Sequence, residues 1–182
     1  MDALPYLQKS FPTCSIWPTH PPRTDLYAEP GMLCHPLASP AASEDWSGSC
    51  PIWMAGGQEQ TIDAALLVTQ RASAQGVSVT HWEFEGLVHT FFFVWRGAPQ
   101  SKRLLGEWGR SMLEFVGAST SGEKGRKGSR SVFVKAKGLV EVERDITRLV
   151  PFGIEELRGW MKERVRKARV PDFHKNSKGS RL

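Results

Sequence analysis

Two loops hold the residues with the most specific chemistry. Gly57-Gln58-Glu59-Gln60-Thr61-Ile62-Asp63 offers carboxylates, and Gly86-Leu87-Val88-His89-Thr90-Phe91 follows with an imidazole thirty residues after Glu59. A carboxylate holding one imidazole nitrogen fixes the tautomer and stabilises the imidazolium, leaving the other nitrogen to take a proton from a nucleophile. On this reading Glu59 is the acid, His89 the base and Asp63 a supporting carboxylate. The plainer alternatives are a helix-start carboxylate at Glu59, a capping or hydrogen-bonding role for Asp63, and a partly buried histidine at His89.

Such a pair works only if the chain brings both loops to one place. Pro51-Ile52-Trp53-Met54-Ala55 is a short apolar run suited to a strand, and Gly56-Gly57 lead out of it. Helical spacing follows from Thr61 to Gln75, with Ile62, Ala65, Leu66, Thr69 and Ala72 on one stripe and Gly76 at the stop. Val77 to Phe84 alternates and is rich in β-formers, which suits a strand near a sheet edge. Ser101 to Val116 is amphipathic and is expected to turn Leu104, Leu105, Trp108, Met112 and Phe115 inward. Strand, helix, strand, loop, helix is the pattern of a parallel α/β unit. Loops at the carboxyl ends of its parallel strands emerge together, which would bring Glu59 within reach of His89.

The flanks read differently. Prolines at 5, 12, 18, 21, 22, 30, 36 and 40 make residues 1–50 an irregular segment leading into the core at 51–116. Residues 117–130 form a flexible basic Gly/Ser/Lys linker. Residues 131–182 hold a short strand at Val132-Phe133-Val134, a helix from Ile154 with Leu157, Met161 and Val165 on its stripe and Trp160 beside it, and a basic tail. Charge follows this division: residues 1–100 carry four Lys/Arg against nine Asp/Glu, and 101–182 carry twenty against ten. A solvated tail is favoured over polyanion binding, including at Lys124–Arg130, because no nucleic-acid motif accompanies the charge.

Cys14, Cys34 and Cys50 have neither disulfide-framework nor zinc-ribbon spacing. Cys34-His35 lacks a second ligand pair, so neither a metal site nor a Cys-His dyad is expected. Phe91-Phe92-Phe93 with Trp95 reads as helix core in preference to an acyl pocket. There is no apolar leader, and no apolar run approaches the roughly 20 residues of a membrane span. These features set the expectation of a soluble, cytoplasmic protein without metal or organic cofactor.

From Arg23-Thr24-Asp25-Leu26-Tyr27 through Val116 the chain resembles the C-terminal part of the hormone-sensitive-lipase-like esterases, the fold-3 group of α/β-hydrolases, and most of all fungal members. Cys34-His35-Pro36-Leu37-Ala38-Ser39-Pro40 and Trp46-Ser47-Gly48-Ser49-Cys50-Pro51 are similar to that group's approach to its penultimate core strand. Glu59 and Asp63 match the spacing of its acid loop, and Gly86-Leu87-Val88-His89-Thr90-Phe91 resembles its Gly-x-x-His-Gly-Phe loop, with Thr90 replacing the second glycine. The stretch from Val132 to Met161 also resembles the fungal ending.

The resemblance implies an α/β fold, the C-terminal portion of an α/β-hydrolase with parallel strands, flanking helices and an incomplete sheet. It implies hydrolysis of carboxylic esters, with acetyl or short-acyl esters of a hydrophobic alcohol as small-molecule substrates. Yet no Gly-x-Ser-x-Gly elbow and no His-Gly-Gly-Gly stretch occurs in the 182 residues, so the nucleophile and oxyanion donors would come from elsewhere. A truncated, inactive esterase is therefore one expectation. A non-catalytic interaction or accessory protein serving a biosynthetic pathway is the alternative; it would bind a protein partner at the exposed sheet edge.

Overall fold

Parallel pairing of two short apolar runs organises the fold. The computed structural model describes residues 32, 34–59, 61–117 and 128–167. Strand β1 (Ile52–Gly57) pairs in parallel with β2 (Val79–Phe84), Ile52 opposite Val79 and Gly57 opposite Phe84. Helix α1 (Ile62–Ala74) makes the crossover, burying Leu66, Leu67, Val68, Thr69 and Ala72. Gly76 ends it with φ +83°, a left-handed conformation that glycine adopts without steric cost.

After β2 the chain forms α2 (Phe91–Val94) and α3 (Pro99–Phe115), then returns as β3 (Arg130–Val134), again parallel to β2. A tight hairpin leads to β4 (Glu141–Arg144), antiparallel to β3. The sheet order β1-β2-β3-β4 equals the chain order. A mostly parallel sheet with flanking helices is the α/β architecture expected from the alternating pattern. β2 lies between β1 and β3 and is buried over most of its length. β4 was not anticipated, because Glu141, Glu143 and Arg144 disguise it as a solvated run.

The sheet's two faces differ. Trp82, Phe84, Val132 and Val134 meet Phe91 and Leu104 in one cluster, with Trp53, Ala55, Leu87 and Val88 packed against it. On the other face Val79 joins Val77 and Ala72, with Ile52 and Met54 alongside. That second face also carries His81, fully buried, whose Nδ1 lies 3.1 Å from Ser131 Oγ. Arg144 forms an ion pair with buried Glu83.

Helix α3 departs from the expected orientation. Of the five apolar residues assigned to its inner face, only Leu104 is buried; Leu105, Trp108 and Phe115 are exposed. The buried positions are instead Ser101, Leu104, Glu107 and Ser111. Volume supplies the reason: Trp82, Phe84 and Phe91 fill the space above the sheet, and the small serines let the helix approach. Glu107 tolerates burial because Arg103, Arg110 and Arg130 all reach its carboxylate. The Arg103 and Arg130 guanidiniums also lie 5.4 and 5.2 Å from the Trp82 ring centroid.

The aromatic run behaves as helix core only at its start. Phe91 is buried and Phe92 half-buried, whereas Phe93, Val94 and Trp95 are exposed. All these elements belong to one unit, Ser43–Gly153. A second unit comprises Met1–Ala42 and Ile154–Leu182. Its described part holds a 3-10 turn (Pro40–Ala42) and α4 (Ile154–Lys167), where Arg158 donates to the Ala42 carbonyl at 3.1 Å. On α4, Leu157 and Met161 are half-buried while Trp160 is exposed. The Val165 side chain, most of the irregular segment 1–50, linker residues 118–127 and the basic tail beyond 167 lie outside the described residues. Among the described residues no helix is long and apolar enough to cross a membrane.

Candidate active site

Parallel pairing places the loops after β1 and β2 at the same end of the sheet. There the backbones touch: a Cβ on Gly57 would lie 1.9 Å from the Leu87 carbonyl oxygen and 2.5 Å from that of Val88. Only glycine admits this approach. A Cβ on Gly56 would meet the His89 carbonyl oxygen at 3.7 Å, so the histidine loop lies over the end of β1. Leu87 and Val88 anchor the loop on the core cluster. Gly86 turns the chain at φ +67°, and its N–H donates to Gln58 Oε1 at 3.1 Å.

Across this contact Glu59 and His89 meet. One carboxylate oxygen, Glu59 Oε2, accepts the His89 backbone N–H at 2.9 Å and also bonds the ring at Nδ1. With the carboxylate as acceptor, Nδ1 carries the proton and Nε2 presents its lone pair. The His89 backbone N–H first, and the ring second, hold the Glu59 carboxyl below its ordinary range. The pair is open to water, the side chains being 53% exposed for His89 and 39% for Glu59. Solvent therefore weakens the electrostatic coupling compared with a buried acid.

Asp63 sits in the first turn of α1, exposed, and no hydrogen bond joins it to Glu59 or His89. Its place favours the helix dipole. Thr90 is the residue from which α2 starts. Among the described residues no hydroxyl hydrogen-bonds His89 Nε2, and no group of three or more His, Cys, Asp or Glu converges as for a metal. His35 Nδ1 accepts the Leu37 N–H at 3.2 Å, so that ring nitrogen serves a local turn. Gln58 and Gly57 were not singled out from sequence as site residues. The Gly56-Gly57 pair was the available signal, since consecutive glycines at a strand end mark close backbone approach.

With this geometry established, comparison with known proteins adds a family. Residues 17–93 match the family model described as alpha/beta hydrolase fold. The matched span, which is less than half of the chain, includes β1, the acid loop, α1, β2 and the histidine loop, and over it the chain is similar to alpha/beta hydrolases. The four-stranded, mostly parallel sheet fits an incomplete version of that fold. No curated protein and no solved structure matches the chain.

Proposed function

From the hydrolase-type fold and the paired loops, we propose that this chain carries the acid and base of a carboxylic ester hydrolase. The supporting observation is the double hold of Glu59 Oε2 on the His89 backbone and ring. In the proposed reaction Nε2 takes the proton of an attacking hydroxyl as its oxygen bonds the ester carbonyl carbon. The resulting imidazolium, stabilised by Glu59, then gives that proton to the departing alkoxide. The substrates are small acetyl or short-acyl esters. With no serine elbow in the 182 residues, the hydroxyl is supplied from outside them, by water or by a serine; where a serine attacks, water activated by the same Nε2 then displaces it from the acyl group and releases the acid.

The test is hydrolysis of p-nitrophenyl acetate and butyrate by the purified chain beside His89→Ala and Glu59→Gln. Turnover lost in both variants supports the acid–base reading. Equal rates in all three overturn it.

A second reading, a hydrolase-derived interaction protein, is favoured by a separate observation. Helix α3 turns an apolar stripe outward beside a strand edge that carries no charge.

A further inference from the structure

We infer that Gln58 is a positioning residue for His89: its side-chain amide fixes the turn out of β2 so that the imidazole arrives on Glu59 with its proton on Nδ1. The inference rests on the acid–base reading of Glu59 and His89 proposed above.

The turn has little packing to define it. Gly86 is exposed, and a Cβ built there would meet nothing within 4 Å. Its φ of +67° is one that glycine enters and leaves without steric cost. Direction must therefore come from hydrogen bonds. On one side the Glu85 N–H donates to the Val134 carbonyl at 3.0 Å, and Glu85 Oε2 accepts the Ala136 N–H at 2.8 Å, which ties the end of β2 to β3 and the hairpin beyond it. On the other side lies Gln58. Its backbone N–H donates to the Phe84 carbonyl at 3.2 Å, and its Oε1 accepts the Gly86 N–H at 3.1 Å. One residue thus bonds both ends of the turn, the strand end through its main chain and the departing loop through its side chain.

Gln58 and Glu59 are consecutive, and they hold the histidine loop at Gly86 and at His89, three residues apart. Two points of attachment set the direction of a short segment; one point lets it pivot. Leu87 and Val88 lie against the core cluster between them and fix the depth of the loop. Direction matters because Glu59 Oε2 receives both the backbone N–H and the ring Nδ1 of His89. A pivot moves both donors off that one oxygen. The ring is exposed, so packing does not return it. A neutral imidazole that loses its carboxylate reverts to the form favoured in water, with the proton on Nε2, the nitrogen that must take a proton from the nucleophile. An amide at position 58 supplies the acceptor without setting a second carboxylate beside Glu59.

Ring nitrogen shifts of the full chain carrying 15N-labelled histidine, recorded near pH 8 and assigned with His89→Ala, test this without requiring turnover. Wild type is expected to hold His89 as the Nδ1–H tautomer. Gln58→Leu removes the acceptor and should leave the ring mostly Nε2–H, with Gly86 amide exchange about fivefold faster and circular dichroism unchanged. Gln58→Asn withdraws the oxygen by one methylene and should do the same, so the test does not depend on one variant. Gln58→Glu keeps an oxygen in reach of Gly86 and should restore the wild-type tautomer. An Nδ1–H ring in both the Leu and Asn variants would overturn the inference and leave the acid–base reading standing, as would a Gln58→Glu ring with its proton on Nε2. A wild-type ring protonated on Nε2 would overturn both.

Discussion

Acid should destabilise this fold through His81 before most carboxylates titrate. His81 is fully buried between the strands, with Ser131 Oγ 3.1 Å from Nδ1 and no hydrogen-bond partner for Nε2 among the described residues. Burial, with the Arg144 charge adding to it, pushes its pKa from 6.5 down to about 4. The unfolded chain therefore binds the proton first. Stability is full above pH 6.5, falls as pH drops through the interval to about 4, and then levels off as the folded state also protonates. A shift of this size corresponds to about 3 kcal/mol over the whole interval, of which about 2 is lost by pH 5. Urea unfolding at pH 7.5, 6 and 5, followed by tryptophan fluorescence, measures the slope. Exposed Asp45, Asp145 and Glu59 have depressed pKa values, and these carboxylates remain largely ionised in both states above pH 5. His81→Phe should flatten the profile in this window, although Ser131 loses its partner and the variant starts less stable. Identical slopes for wild type and variant would refute the reasoning.

Three further outcomes follow from the geometry. Gly57→Ala, which drives a methyl group into the Leu87 carbonyl, should cost about 2–4 kcal/mol in chemical denaturation and separate the two loops. Glu59→Gln should weaken the hold on the histidine loop, and hydrogen exchange at the His89 amide should accelerate about tenfold. Glu107→Gln leaves three guanidiniums around a neutral amide; a loss of about 3 kcal/mol in thermal or urea unfolding is expected.

The strands and helices that carry the site were legible because their patterns are local. The β1 run, the α1 stripe with its Gly76 stop and the β2 alternation each declare an element, and parallel connection then forces the Glu59 and His89 loops together. The face that α3 presents was not legible. A helical stripe tells which residues share a side, not which side meets the sheet, and Trp82, Phe84 and Phe91 decided that from elsewhere in the chain. β4 was hidden because its charges mimic a solvated turn. The role of Gly57 depends on where Leu87 passes, a contact that no reading of neighbouring residues contains.

The order of the sheet bears on how the Glu59–His89 pair assembles. Acid and base flank a single strand-helix-strand unit, Ile52 to Phe91, whose two strands are neighbours in both sequence and space. Closing that one loop, with α1 spanning it, meets the entropic cost of bringing the pair together. The pair then forms as β1 registers on β2, without waiting for the longer return to β3 or for the β4 hairpin. Its connection is the shorter of the sheet's two parallel ones, Ile52 pairing with Val79 while Thr80 pairs with Arg130, so its assembly is expected ahead of the β2–β3 pairing.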